Sequence, residues 1–139
     1  MIDVSVYVLV KPTEKVDRVT SAIEKIFPGL IMDIREDRIQ AYDGIASLTR
    51  FHMLLREELI LDTARRVMVR GLVGNSVQFR LSKQAAYMGL ISFPPEEEPL
   101  GSIHVQISGD ERIIDWLAPM TQNGEPVGEI DLLKEGGNV

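Results

Sequence analysis

Polar and hydrophobic positions alternate from the start of the chain. Ile2, Val4, Val6, Val8 and Val10 fall on one side, and Asp3, Ser5, Tyr7, Leu9 and Lys11 on the other. A period of two carried by β-branched residues predicts a strand with one packed face over residues 2–11. The period then lengthens. Thr13 is the expected N-cap, Glu14 and Asp17 suit the positive end of a helix, and Val16, Val19, Ile23, Ile26 and Phe27 form its buried stripe until Pro28-Gly29 stops it. Residues 30–35 and 38–43 predict two strands joined by a tight turn at Glu36-Asp37. A helical stretch covers residues 47–70, with Ile60, Ala64, Val67 and Met68 on its inner side and Arg56, Arg66 and Arg70 outward. Asp62-Thr63 is a second cap site, so one continuous helix and one broken helix both fit. Gly71 and Gly74 end the stretch.

Alternation returns at 76–82, with Val77, Phe79 and Leu81 against Gln78 and Arg80. Residues 83–89 form a short connection, and 89–93 predict another strand. The run Pro94-Pro95-Glu96-Glu97-Glu98-Pro99 admits no helix and is a loop. Residues 102–108 are a strand with Ile103, Val105 and Ile107 inward. Residues 110–117 form a short helix carrying Trp116 and closed by Pro119. The resulting order is β-α-β-β-α-β-β-β-α, an α+β fold with a curved, mostly antiparallel sheet and helices packed on one face. Its first six elements match a split βαβ, ferredoxin-like pattern. Residues 1–124 are expected to form a single domain. Residues 125–139 are expected to be a loosely structured tail, because the last 20 residues hold 4 of the 11 glycines.

Composition narrows the chemistry. A chain of 139 residues with 45% hydrophobic residues fits one domain with a real core. Without cysteine there is no disulfide, thiolate nucleophile or thiolate zinc site. No apolar stretch nears the roughly 20 residues of a membrane span, and the alternating start does not resemble a signal peptide, so a cytoplasmic protein with no membrane partner is expected. The net charge of −6 opposes non-specific coating of nucleic acid. The charge is uneven, however: residues 50–83 carry seven basic and three acidic side chains, net +4, whereas residues 84–139 carry two and ten, net −8. Such asymmetry can mark a basic surface within an acidic protein.

Signs of catalysis are sparse. His52 and His104 have no metal-ligand spacing, no Gly-x-Ser-x-Gly elbow occurs, and Gly71-Leu72-Val73-Gly74 lacks the lysine of a phosphate loop. Asp33, Asp37 and Asp43 flank a hairpin, where turns favour aspartate without any metal. No cofactor, metal or catalytic residue is expected. Two features say more. The outward sheet face would present Tyr7, Gln40, Tyr42, Gln78, Arg80, His104 and Gln106, a set able to stack on bases, meet phosphate and read base edges. Asp62 can pair with Arg65 or Arg66 on a helix, while Lys83-Gln84 at a strand end offers a charge and an amide to a ligand.

At these positions the chain resembles an uncharacterised archaeal family whose fold is similar to the large-subunit ribosomal protein that binds 5S rRNA. The resemblance rests on Arg56 with Asp62-Thr63-Ala64-Arg65, on Phe79 with Lys83-Gln84-Ala85-Ala86, Gly89 and Phe93, and on Asp115-Trp116-Leu117-Ala118-Pro119 with Thr121. It spans nearly the whole chain and implies RNA binding. The expected function is therefore RNA binding, with Arg56, Arg65, Arg66, Arg80 and Lys83 on phosphate and Gln84 near a sugar or base. Two other readings compete. One is a protein-interaction module or homodimer formed through an exposed strand edge. The other is an enzyme acting on a phosphorylated small molecule through the same basic residues.

Overall fold

The computed structural model describes residues 2–133. Val4, Val6 and Val8 are buried and the residues between them exposed, so β1 (Asp3–Leu9) lies with one face on the core, as its alternation predicts. Helix α1 (Val16–Ile26) follows, then the hairpin of β2 (Ile31–Ile34) and β3 (Arg38–Asp43). A 3-10 turn (Ile45–Leu48) leads into α2 (Thr49–Glu57) and α3 (Leu61–Arg70), and then β4 (Leu72–Val73) and β5 (Ser76–Leu81). The short helix α4 (Lys83–Tyr87), strand β6 (Ile103–Ser108), helix α5 (Ile113–Leu117) and a small hairpin of β7 (Thr121–Gln122) and β8 (Glu125–Pro126) complete the chain. The main sheet has the order β2-β3-β1-β6-β5-β4, with every pairing antiparallel.

The helices cover one face of this sheet and share a single core with it. Phe27, Phe51, Phe79 and Phe93 run through that core as a chain of ring contacts, with centroids 5.4, 5.5 and 6.1 Å apart. Trp116 is buried and its ring lies against that of His52, with centroids 4.6 Å apart and planes tilted by 32°. Among the described residues the opposite face of the sheet carries no helix.

Several local features differ from the sequence expectations. Helix α1 begins at Val16 rather than beside Thr13, because Glu14 bonds back to the Lys11 amide at 2.9 Å and holds residues 11–14 in a turn. The 47–70 stretch is broken at Leu59, which sits at φ 57 and reverses the chain between α2 and α3. Residues 89–93 are not a strand. Their apolar run packs on the core, but its backbone is held by other groups: Ser92 accepts from the Ser82 amide, and the Ile91 amide donates to the Glu58 carboxylate at 3.0 and 3.1 Å. An unexpected short strand, β4, pairs with the start of β5 around Gly74-Asn75. Just before it, Gly71 admits no side chain, since a Cβ there would lie 1.8 Å from the Gln78 carbonyl oxygen.

The split βαβ unit is present, with β3 between β1 and β2. A ferredoxin-like arrangement would set the 76–82 strand beside β1; β6 takes that place and β5 lies one position further out. The inward residues of both strands are buried, Ile103, Val105 and Ile107 on β6 and Val77, Phe79 and Leu81 on β5. The expected loose tail is also corrected in part. Asn123 and Gly124 take positive φ of 55 and 82 and close the β7–β8 hairpin, the turn geometry that Asn-Gly favours. Beyond it Leu132 is buried, and Ile130 and Leu133 pack on the core. The rest of that tail, residues 134–139, lies outside the described residues. Among the described residues no helix is long and apolar enough to cross a membrane.

Candidate nucleic-acid interface

Strand register brings the outward residues into two rows across the open face. One row runs Asp33, Gln40, Tyr7, His104, Arg80; the next runs Ile31, Tyr42, Ser5, Gln106, Gln78. Every outward residue named from the sequence therefore lies on one surface. Tyr7 and Tyr42 are diagonal neighbours on adjacent strands, a relation that spaces side chains by roughly 7–8 Å. Both rings are exposed, Tyr42 at 55%.

At the β5 end this face deepens into an open groove of about 720 Å³. Its walls include Ser5, Tyr7, Gln78, Arg80, His104 and Gln106 from the sheet, Arg70 and Gly71 from the end of α3, and Pro94 and Pro95 from the acidic loop. Arg70 reaches the groove because the Gly71–Gln78 contact lets the last turn of α3 abut β5. Arg80 donates to the carbonyls of Pro94 and Pro95, and His104 Nε2 lies 3.1 Å from a Glu97 carboxylate oxygen. The groove thus offers stacking rings, amides able to donate and accept, and two guanidinium groups. Asp33 pairs with Arg35 and Asp37 with Arg38, and no group of carboxylates or histidines among the described residues is placed to hold a metal ion.

The residues expected to contact RNA do not gather on one surface. Arg56 turns inward from α2 and donates to the carbonyls of His52, Trp116 and Leu117 and to the Glu129 carboxylate. Arg65 bonds Asp115 at 2.8 Å and the Ala118 carbonyl. Asp62 forms neither of the expected arginine pairs; it accepts from the Thr121 hydroxyl. Lys83 is buried, and its ammonium donates to the carbonyls of Leu9 and Leu100 and to Glu14 at 2.9 Å. Those contacts occupy all three of its protons. Gln84 is exposed nearby, at a second hollow of about 740 Å³ between α1, α4 and the loop before β6, to which Arg65 does not contribute. Arg66 is exposed on α3, one turn before Arg70. Of the six, only Arg80 lies in the open groove. Arg70 from the end of α3 and the polar sheet residues join it there, and the signal for the sheet residues was strand alternation rather than charge density.

Comparison with known proteins agrees with this architecture. The family model described as RNA binding matches residues 3–108. A UPF0201 protein of Saccharolobus solfataricus is 38% identical over 136 residues, covering 91% of this chain and 94% of the relative. One from Methanosarcina acetivorans is 39% identical over 153 residues, covering 95% and 93%. The crystal structure of a UPF0201 protein from Methanococcus jannaschii superposes with a TM-score of 0.83 at 33% identity, covering 91% of this chain and 99% of that one.

Proposed function

As the chain belongs to the archaeal UPF0201 family, we propose that it binds unpaired RNA on the open face of its sheet. The carrying observation is the pair of register rows that set Tyr7, Tyr42, His104, Arg80 and three glutamines side by side on one face of the sheet. Bases of a single strand stack on the tyrosines, amides of Gln40, Gln78 and Gln106 meet base edges, and Arg70 and Arg80 meet phosphate. A groove of about 720 Å³ is within the size range of small-ligand sites, roughly 300–1,000 Å³. Arg56, Arg65 and Lys83 are excluded from the contact surface in this reading, since each is already bonded within the protein.

The test is the Tyr7→Ala, Tyr42→Ala double variant, titrated into a labelled mixed-sequence single-stranded RNA. Both rings are exposed, so the fold should survive. Stacking contributes about 1–3 kcal/mol per base, so affinity should fall at least about tenfold. Unchanged affinity in a folded variant would sink the proposal. One observation favours a second reading: edge strand β2 exposes Ile31 at 55% and Ile34 at 48%, a surface a second copy could cover. A mass that rises with concentration, without any RNA binding, would move the function there.

A further inference from the structure

The acidic loop between α4 and β6 folds back over the groove of the open face. Arg80 Nη2 donates to the Pro94 carbonyl at 3.4 Å and the Pro95 carbonyl at 3.0 Å, so the loop's own backbone covers a cation that phosphate would use. Glu97 sets a carboxylate oxygen 3.1 Å from Nε2 of His104, the residue paired across the strands with Arg80. The far end of the loop is tied down as well. The Gly101 amide donates to the Glu98 carbonyl at 2.8 Å, and buried Lys83 donates to the Leu100 carbonyl. The loop is thus fastened at both ends, with the Glu97 carboxylate held against the groove residue His104 and Glu98 at the second hollow.

A carboxylate and a phosphodiester offer the same thing to arginine and histidine: negatively charged oxygens that accept charged hydrogen bonds. We propose that this loop is a built-in competitor, whose Glu97 carboxylate and proline carbonyls occupy the positions of RNA phosphates at His104 and Arg80 until RNA displaces it. The inference rests on the open-face reading above. The Glu97–His104 pair is about half exposed, and exposed pairs shift an equilibrium by no more than about fivefold, which suits a latch that must lift. Burial alone would raise the Glu97 carboxyl, but Ser102, His104 and Arg80 beside it outweigh that and hold it below its ordinary 4.5. Pro94, Pro95 and Pro99 restrict the loop's alternative conformations, which favours its return once RNA leaves.

The experiment measures binding of the full chain to a labelled mixed-sequence single-stranded RNA by fluorescence anisotropy. Glu97→Gln should tighten binding about two- to fivefold, and Glu96→Gln, Glu97→Gln, Glu98→Gln together by more, with the gain fading at high salt. A control with Asp17→Asn, Glu24→Gln and Glu57→Gln removes the same charge from exposed helix positions on the other side of the sheet. The control should tighten binding far less. Equal affinities in the loop variant and wild type, or equal tightening in the control, would overturn the competitor and leave RNA binding on the open face standing. If neither wild type nor loop variant binds at low salt, the open-face reading falls and this inference with it. A second readout follows the His104 imidazole by NMR. Its resonance should move on Glu97→Gln, because the carboxylate is lost, and the wild-type and Glu97→Gln resonances should converge when RNA is added, because phosphate then stands in the same place in both; resonances that stay apart with RNA bound would overturn the proposal.

Discussion

Lys83 shows how far a residue's type can mislead about its task. By sequence it is a cation at a strand end, suited to phosphate; in the fold it joins β1, the turn before α1 and the loop before β6. Removing one member of a buried, hydrogen-bonded ion pair typically costs about 3–5 kcal/mol, because the other charge stays buried and unpaired. Lys83→Met should therefore lower the denaturant midpoint sharply, and Glu14→Gln in the same background should recover part of the loss. An unchanged midpoint for Lys83→Met would restore it as a candidate contact. Arg56 and Arg65 follow the same logic, their guanidinium groups tying α2 and α3 to the carbonyls at the end of α5. None of this could be read from the chain, because charge spacing along a sequence does not say which acceptors the fold will bring within 3 Å. The apolar–polar alternation of β1, β5 and β6 could be read, since a strand's faces are determined by parity alone. The open face followed from parity, and the expected arginine contacts followed from charge.

The C-terminal segment after β8 makes the same point for an element. Its glycines suggested looseness, yet Leu132 is buried and Glu129 pairs with Arg56. Burying a leucine contributes about 1.5–3 kcal/mol, so truncation after Pro126 should lower the melting temperature measurably rather than leave it unchanged. The anchoring cluster also predicts an acid response. The hydrogen bond from Arg56 holds the Glu129 carboxyl below its ordinary 4.5, against a smaller opposing effect of burial. Burial, helped by Arg56, pushes His52 below its ordinary 6.5, against Glu129, Trp116 and Asp131. In both cases the unfolded chain binds protons more readily, so stability falls as pH falls. The His52 part is complete above about pH 6.5 and is lost as pH drops through its lower folded value; the Glu129 part follows the same course from about pH 4.5 downward. Urea midpoints across this range should show both losses, and Glu129→Gln should remove the lower one while keeping the upper. A midpoint flat from neutral to mildly acidic pH would contradict the His52 assignment. Sequence missed this element because its apolar residues, Ile130, Leu132 and Leu133, are too few to show a period, whereas the Asn123-Gly124 turn before it was a usable signal.

At the scale of the molecule, the proposed function sets a polyanion against an acidic protein. The open face supplies few cations for this: Arg70 and Arg80 at the groove and Arg38 further along. With two or three phosphate contacts to a single strand, log affinity should fall against log salt with a slope of about −1.5 to −2. The seven basic residues of 50–83, had they formed one patch, would give a slope of roughly −5. A titration across salt concentrations separates the two, and a slope near the steeper value would mean that phosphate is met somewhere other than the open face. The sheet order has a consequence for the making of the protein as well. β1 finds its first neighbour, β3, once residue 43 is complete, but its second, β6, begins only at residue 103. At synthesis rates of about 5–20 residues per second, the strand that ends up at the centre waits roughly 3–12 s with one edge bare. During that interval the nascent chain carries a valine-faced strand unsealed, and the ribosome, or whatever attends it, must keep that edge from strangers.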